Sequence, residues 1–123
     1  MKQIFSKKAP IAIGPYSQAI KSGSFIFCSG QIAIDPKTNE FKSGTITEES
    51  TRVIENLRAV LEKANSRLEK TVKVTVYLSS IDDFTEMNKV YENYFSNKPS
   101  RSTIEVSRLP KEAKVEIDAI AEI

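Results

Sequence analysis

Between residues 72 and 78 apolar Val72, Val74, Val76 and Leu78 alternate with Lys73, Thr75 and Tyr77, the period of a half-buried strand. Phe25-Ile26-Phe27-Cys28-Ser29 is aromatic and β-branched and predicts a second strand, running into Gly30-Gln31-Ile32. A short strand is expected over 17–22, ending at Gly23. The period changes after Thr45. Thr45-Ile46-Thr47-Glu48 fits a capping box, and Val53, Leu57, Val60, Leu61 and Ala64 recur at helical spacing. That helix should stop near Asn65, a residue that tolerates the left-handed conformation of a C-terminal cap. A second helix starts near Asp82 and carries Phe84, Met87, Tyr91, Tyr94 and Phe95; Pro99 bars its extension. Two last strands, about 101–107 and 113–121, flank a break at Leu109-Pro110-Lys111. Ala9 to Tyr16 holds two prolines and a glycine and reads as an irregular arm, and Asp35-Pro36-Lys37-Thr38-Asn39 reads as a turn.

The order strand–helix–strand–helix–strand–strand is an α/β (α+β) pattern. Right-handed crossovers place both helices on one face of one mixed sheet. The other face then carries Phe25, Phe27 and Tyr77, opposite in parity to Ile26, Cys28, Val74 and Val76. A naked, partly aromatic face is usually buried against another copy, so a homo-oligomer is expected. The alternative is a monomer with the N-terminal arm folded over that face. In the last strands parity points Ile104 and Val106 toward the helices, and Arg101, Thr103, Glu105 and Ser107 away from them. Val115, Ile117, Ala119 and Ala121 form an apolar side, opposite Lys114, Glu116 and Asp118. Ser29 falls on the same non-helical face. An arginine fork grips a carboxylate through two parallel charge-assisted hydrogen bonds, and a nearby carboxylate can polarise a water. Spacing alone leaves open whether this is a site or an Arg–Glu structural pair on a solvated sheet.

Length and composition narrow the choice. The 123 residues support one core and one domain, 1–123. The formal charge is +2, from 18 basic and 16 acidic residues with no run of five like charges, which argues against a nucleic-acid partner. Cys28 is the sole cysteine, expected as a small buried hydrophobe on the helical side. The N-terminus has no apolar h-region and no stretch is long and apolar enough for a membrane helix, so a reducing cytoplasm is the expected compartment. There are no histidines. That removes Ser-His-Asp and Cys-His catalysis and ordinary zinc sites. Chemistry must run on Arg, carboxylates, hydroxyls, Lys and backbone groups.

Gly14-Pro15-Tyr16-Ser17-Gln18-Ala19, Ser29-Gly30-Gln31-Ile32, Pro99-Ser100-Arg101-Ser102-Thr103-Ile104-Glu105-Val106, Arg108-Leu109-Pro110-Lys111 and Val115-Glu116-Ile117 occur in that order. Together they resemble the RidA (YjgF) family over essentially the whole chain. The resemblance implies a chorismate-mutase-like fold, a last strand inserted between earlier ones, and a homotrimer with clefts between subunits. It also implies an enamine/imine deaminase acting on 2-iminobutanoate or 2-iminopropanoate. The products are 2-oxo acids and ammonia, and no metal or cofactor is needed. Carried over, Arg101 grips the substrate carboxylate and Glu116 positions or activates water. Tyr16, Ser29 and Asn88 match cleft residues, and Thr103 stands where many members have cysteine, which rules out thiol chemistry there. Gly14 and Gly30 read as backbone requirements, and Glu105 and Asp118 are the rivals to Glu116. Two other readings are a non-catalytic 2-oxo-acid-binding regulatory module and an endoribonuclease. The second is disfavoured by the missing histidine and the absence of a basic groove.

Overall fold

The structure, a computed structural model, describes residues 1–123. Strands β1 (Lys2–Ile4), β2 (Ala19–Ser22) and β3 (Phe25–Gln31) lead through a small hairpin, β4 (Ile34–Asp35) and β5 (Glu40–Phe41), into helix α1 (Ile46–Lys63). Strand β6 (Thr71–Leu78), helix α2 (Phe84–Tyr94), and strands β7 (Ser100–Glu105) and β8 (Val115–Glu122) complete the chain. The six-stranded sheet runs β1-β2-β3-β8-β6-β7, and only β6 and β7 are parallel. The last strand thus enters the middle of the sheet. Its neighbours β3 and β6 are the strands with the strongest apolar alternation, so the insertion gives every buried strand face a partner.

Helix α1 begins as its sequence requires. Thr45 Oγ1 accepts from Glu48 N at 3.1 Å, and Glu48 Oε1 accepts from Thr45 N at 2.9 Å, a complete capping box. Asn65, with φ of 61°, follows the C-terminal cap. Val53, Leu57, Val60 and Leu61 are fully buried against Ile26, Val74, Val76, Ile117 and Ala119 of the sheet. Cys28 is buried among them, and loss of water, followed by the charge of Asp118, pushes its thiol up to about 12. Two buried polar residues tie the loops to this core. Gln18 Nε2 donates to the carbonyls of Ser6 and Pro10, fixing the arm before β2. Asn56 Nδ2 donates to the carbonyls of Ile32 and Ile34, holding the hairpin on α1.

The opposite sheet face is open, as parity predicts. Phe25 and Phe27 are 39% and 44% exposed there, beside Ile120, which pairs with Phe27. The arm does not cover that face as a strand; it runs as irregular chain against α1 and the hairpin, with Ile11 N bonded to Asn39.

Strand β7 departs from the parity expectation. Its register sets Arg101 beside Val74 and Thr103 beside Val76, so both point to the helical face. Ile104 lies beside Tyr77 on the open face and is 44% exposed. Glu105 pairs with Leu78 on the helical side, and Val106 and Ser107 lie past the strand's end. The reason is position. β7 is the sheet's edge, and its inward positions meet Phe84, Asn88 and Tyr91 of α2, where Arg101 rests on the two rings, so its apolar residues are not the inward ones. Short β1 and the β4–β5 hairpin were not foreseen; both are too brief for a periodic signal.

Candidate active site

The predicted site residues fall into two groups, one on each face of the sheet. Arg101 heads the first. Its Nη1 donates to Asn88 Oδ1 at 2.7 Å, and its guanidinium carbon lies 4.6 Å from the centroid of Tyr91 and 5.6 Å from that of Phe84. Phe84, Asn88 and Tyr91 stand at i, i+4 and i+7 along α2, hence on one helix face. The aromatic rings hold the cation by cation–π contact while Asn88 fixes its in-plane rotation. Arg101 makes no ion pair. The structural Arg–Glu pair left open by the sequence is therefore absent, and the guanidinium keeps free donors for an anion. Thr103 stands two residues on, along the same face, with its Oγ1 buried and unpartnered.

Glu116 heads the second group. Strand β8 places it opposite Tyr77 on the open face, one end of a cleft of about 600 Å3. Tyr16, Ser29, Gly30, Ile32 and Lys111 also line the cleft. A break in the β3–β8 register between Cys28 and Gln31 brings Gly30 under Glu116. A Cβ on Gly30 would stand 2.5 Å from Glu116 Oε2, so only glycine leaves the carboxylate its place. Ser29 Oγ donates to Ser17 O at 2.6 Å, which fixes the arm entering β2. Gly14, with φ of 126°, turns the arm so that Tyr16 reaches the cleft mouth, 52% exposed. Burial, and then the negative charge of Asp118, raise the proton affinity of Glu116 above that of an ordinary carboxylate. Such a group takes a proton from water and returns it more readily near neutral pH. The rivals are engaged elsewhere: Glu105 Oε1 accepts from Ile81 N at 2.9 Å, and Asp118 Oδ2 accepts from Tyr77 Oη at 3.0 Å.

The structure thus brings Arg101, Asn88 and Thr103 together, and separately Tyr16, Ser29 and Glu116. The expectation that all shared one face does not hold, because β7 has the inverse parity. Phe84 and Tyr91, which the sequence reading places only on the periodic stripe of the second helix, are further members of the Arg101 group. Their spacing with Asn88 was the available signal.

Comparison with known proteins follows the same residues. A family model described as Endoribonuclease L-PSP matches residues 6–123. A RutC family protein of Pyrococcus abyssi is 57% identical over 119 residues, covering 96% of this chain and 94% of that protein. The chain belongs to the RidA/YjgF (Rid) family. The crystal structure of RidA from an Antarctic Psychrobacter superposes with a TM-score of 0.95 at 38% identity, covering 100% of both chains. That of E. coli TdcF with bound serine gives 0.94 at 37% identity, covering 100% of this chain and 99% of TdcF. The mixed sheet with two helices on one face is the fold of these Rid structures. No helix is long and apolar enough to cross a membrane.

Proposed function

We propose that this Rid protein is an imine deaminase that hydrolyses 2-iminobutanoate and 2-iminopropanoate in clefts shared by neighbouring copies of a homotrimer. The observation that carries the reading is the division of the site. Arg101 is held by α2 with donors free, and Glu116 lies in a separate cleft on the opposite sheet face. Neither half by itself pairs a guanidinium grip for a carboxylate with the Glu116 carboxylate. Docking the β7 edge of one copy on the open face of the next joins them and covers Phe25 and Phe27.

In that arrangement the Arg101 fork takes the substrate carboxylate, and the imine carbon faces Glu116 of the neighbouring copy. Glu116 accepts a proton as water adds to that carbon, giving a carbinolamine. The same proton goes to the nitrogen, and as the C–N bond breaks to release ammonia Glu116 takes the hydroxyl proton, leaving the carbonyl of the 2-oxo acid. An enamine first picks up a proton at carbon to become the imine. The protonated imine carbon is already electrophilic, so orientation and one placed water suffice, and no metal or cofactor is required. Serine, the ligand named for TdcF, carries the same α-carboxylate and nitrogen.

The test couples the protein to threonine dehydratase. Faster release of ammonia and 2-oxobutanoate, lost in Arg101→Ala, is the expected result. Equal rates with and without wild-type protein would overturn the reading. Saturable 2-oxobutanoate binding without acceleration would indicate the regulatory module instead. RNA cleavage that co-purifies with the protein and disappears in Arg101→Ala would indicate the ribonuclease.

A further inference from the structure

Glu116 shares its side of β8 with a second carboxylate that no cation balances. Asp118 stands two residues on, on the same side of the strand, and makes no ion pair. Its side chain has one hydrogen bond, from Tyr77 of β6, whose Oη donates to Oδ2 at 3.0 Å. Tyr77 is the cross-strand partner of Glu116, and Thr75 is that of Asp118. The phenol therefore reaches past its direct neighbour along the diagonal, a span of about 7–8 Å that an aromatic side chain can cover. The other charged or titratable groups around Glu116 are Lys111, from the loop before β8, and Tyr16, from the arm; both line its cleft and neither is bonded to it. Strand β3 brings only Ser29 and Gly30 to the cleft's Glu116 end, and Lys114, just before β8, is turned to Glu49. Two like charges on one strand face repel, and an untethered aspartate would turn its carboxylate away into solvent. A phenol prevents that without cancelling the charge, as a lysine or arginine would. The donor is itself secure: the bond to Asp118, ahead of burial and of the neighbouring carboxylate charges, raises the proton affinity of Tyr77 above that of an ordinary phenol.

We propose that Tyr77 is a positioning residue for Glu116, holding the Asp118 carboxylate beside it on the open sheet face. The inference rests on the water-activating role of Glu116 in the proposed function, and it gives that role a supporting pair on β6 and β8. Asp118 held in place opposes a second negative charge, so Glu116, already hindered by burial, keeps its proton to higher pH than an ordinary carboxylate. Tyr77 acts through Asp118 and not on the reacting atoms.

The test follows the Glu116 carboxyl carbon by nuclear magnetic resonance through a pH titration of the intact protein, its signal assigned by its absence from Glu116→Gln. The pH profile of imine hydrolysis is measured alongside. Asp118→Asn should lower the Glu116 midpoint and move the acid limb of the kcat/KM profile down with it, while KM stays unchanged. Tyr77→Phe keeps the ring and should shift both in the same direction by less, because Asp118 is then free to turn away. The double variant should match Asp118→Asn alone. A Glu116 midpoint unmoved in Asp118→Asn would overturn the proposal, and so would one that stays or rises in Tyr77→Phe. A further shift on adding Tyr77→Phe to Asp118→Asn would also overturn it, by showing that Tyr77 acts on Glu116 directly. The resonance readout needs no turnover. A wild type that fails to accelerate imine hydrolysis therefore overturns the deaminase reading, while the Glu116 midpoints still judge Tyr77.

Discussion

Gly30 and Glu116 show how one missing methyl group sets the chemistry of a side chain. In Gly30→Ala the new Cβ meets the mobile end of Glu116, at 2.5 Å from Oε2 and 2.9 Å from Cδ. The carboxylate can swing aside, so Tm should stay close to that of the wild type. Its displacement should nevertheless cut imine hydrolysis about tenfold or more, measured in the dehydratase-coupled assay. An unchanged rate would mean that the position of Glu116 is immaterial. Glu116 also has a pH signature. The folded chain holds its proton more tightly than the unfolded chain, because of burial and then Asp118. Ionising it therefore costs stability, a cost absent below the ordinary value of 4.5 and complete above the raised one. Glu116→Gln should raise Tm at about pH 7, with the gain vanishing in acid below the ordinary value, while activity is lost throughout. A Tm gain independent of pH would point to packing instead of charge. Glu116 and Arg101 were both legible as residues, from motif and side-chain chemistry. Their setting was not: the Gly30 clearance and the Phe84–Tyr91 flank depend on contacts between segments distant in the chain.

Among the elements, α1 and β8 are joined by one buried carboxylate. Glu49, 1% exposed in the first turn of α1, accepts from Lys114 N at 2.9 Å and from Gly44 N at 3.3 Å, with Lys114 Nζ at 3.5 Å. It therefore anchors the chain one residue before β8, two residues before Glu116. Glu49→Ala strands two backbone donors and should cost about 3 kcal/mol, read as a lower urea midpoint at constant m. It should also lower deaminase activity by loosening the start of β8. Thr45→Ala, which removes only the helix cap, should cost about 1 kcal/mol and leave activity intact. Equal activity loss in both would tie catalysis to general stability. The contrast marks what periodicity can convey. The capping box and apolar stripe of α1 are local and could be read directly. The insertion of β8 between β3 and β6 is a long-range pairing that only the family resemblance supplied. For β7 the alternation has the inverse sense, because this edge strand turns a cation onto the aromatic rings of α2 and leaves Ile104 on the open side.

At the scale of the whole molecule, the open sheet face and the divided site make the same demand. Phe27, 44% exposed, stands on that face between Ile20 and Ile120, its register partners on either side. An apolar surface of this kind on an isolated chain stays wet, and in the proposed trimer the β7 edge of a neighbour would cover it and bring Arg101 to Glu116. Phe27→Lys places an ammonium where that contact would form. Burying an unpaired charge costs several kcal/mol, enough to dissociate a moderate interface, whereas an exposed lysine on one sheet face leaves the core beneath untouched. Light scattering on a sizing column should therefore show a trimer for the wild type and a monomer for Phe27→Lys, with unchanged far-ultraviolet circular dichroism. Deaminase activity should disappear with the trimer, although Arg101, Tyr91 and Glu116 are all intact. Mixing Arg101→Ala with Glu116→Gln after reversible dissociation should restore some activity, because a random trimer regains clefts in which one subunit supplies Arg101 and its neighbour supplies Glu116. No complementation between the two variants would place both groups in one chain's site, a result that the opposite sheet faces of Arg101 and Glu116 make hard to reconcile with this fold.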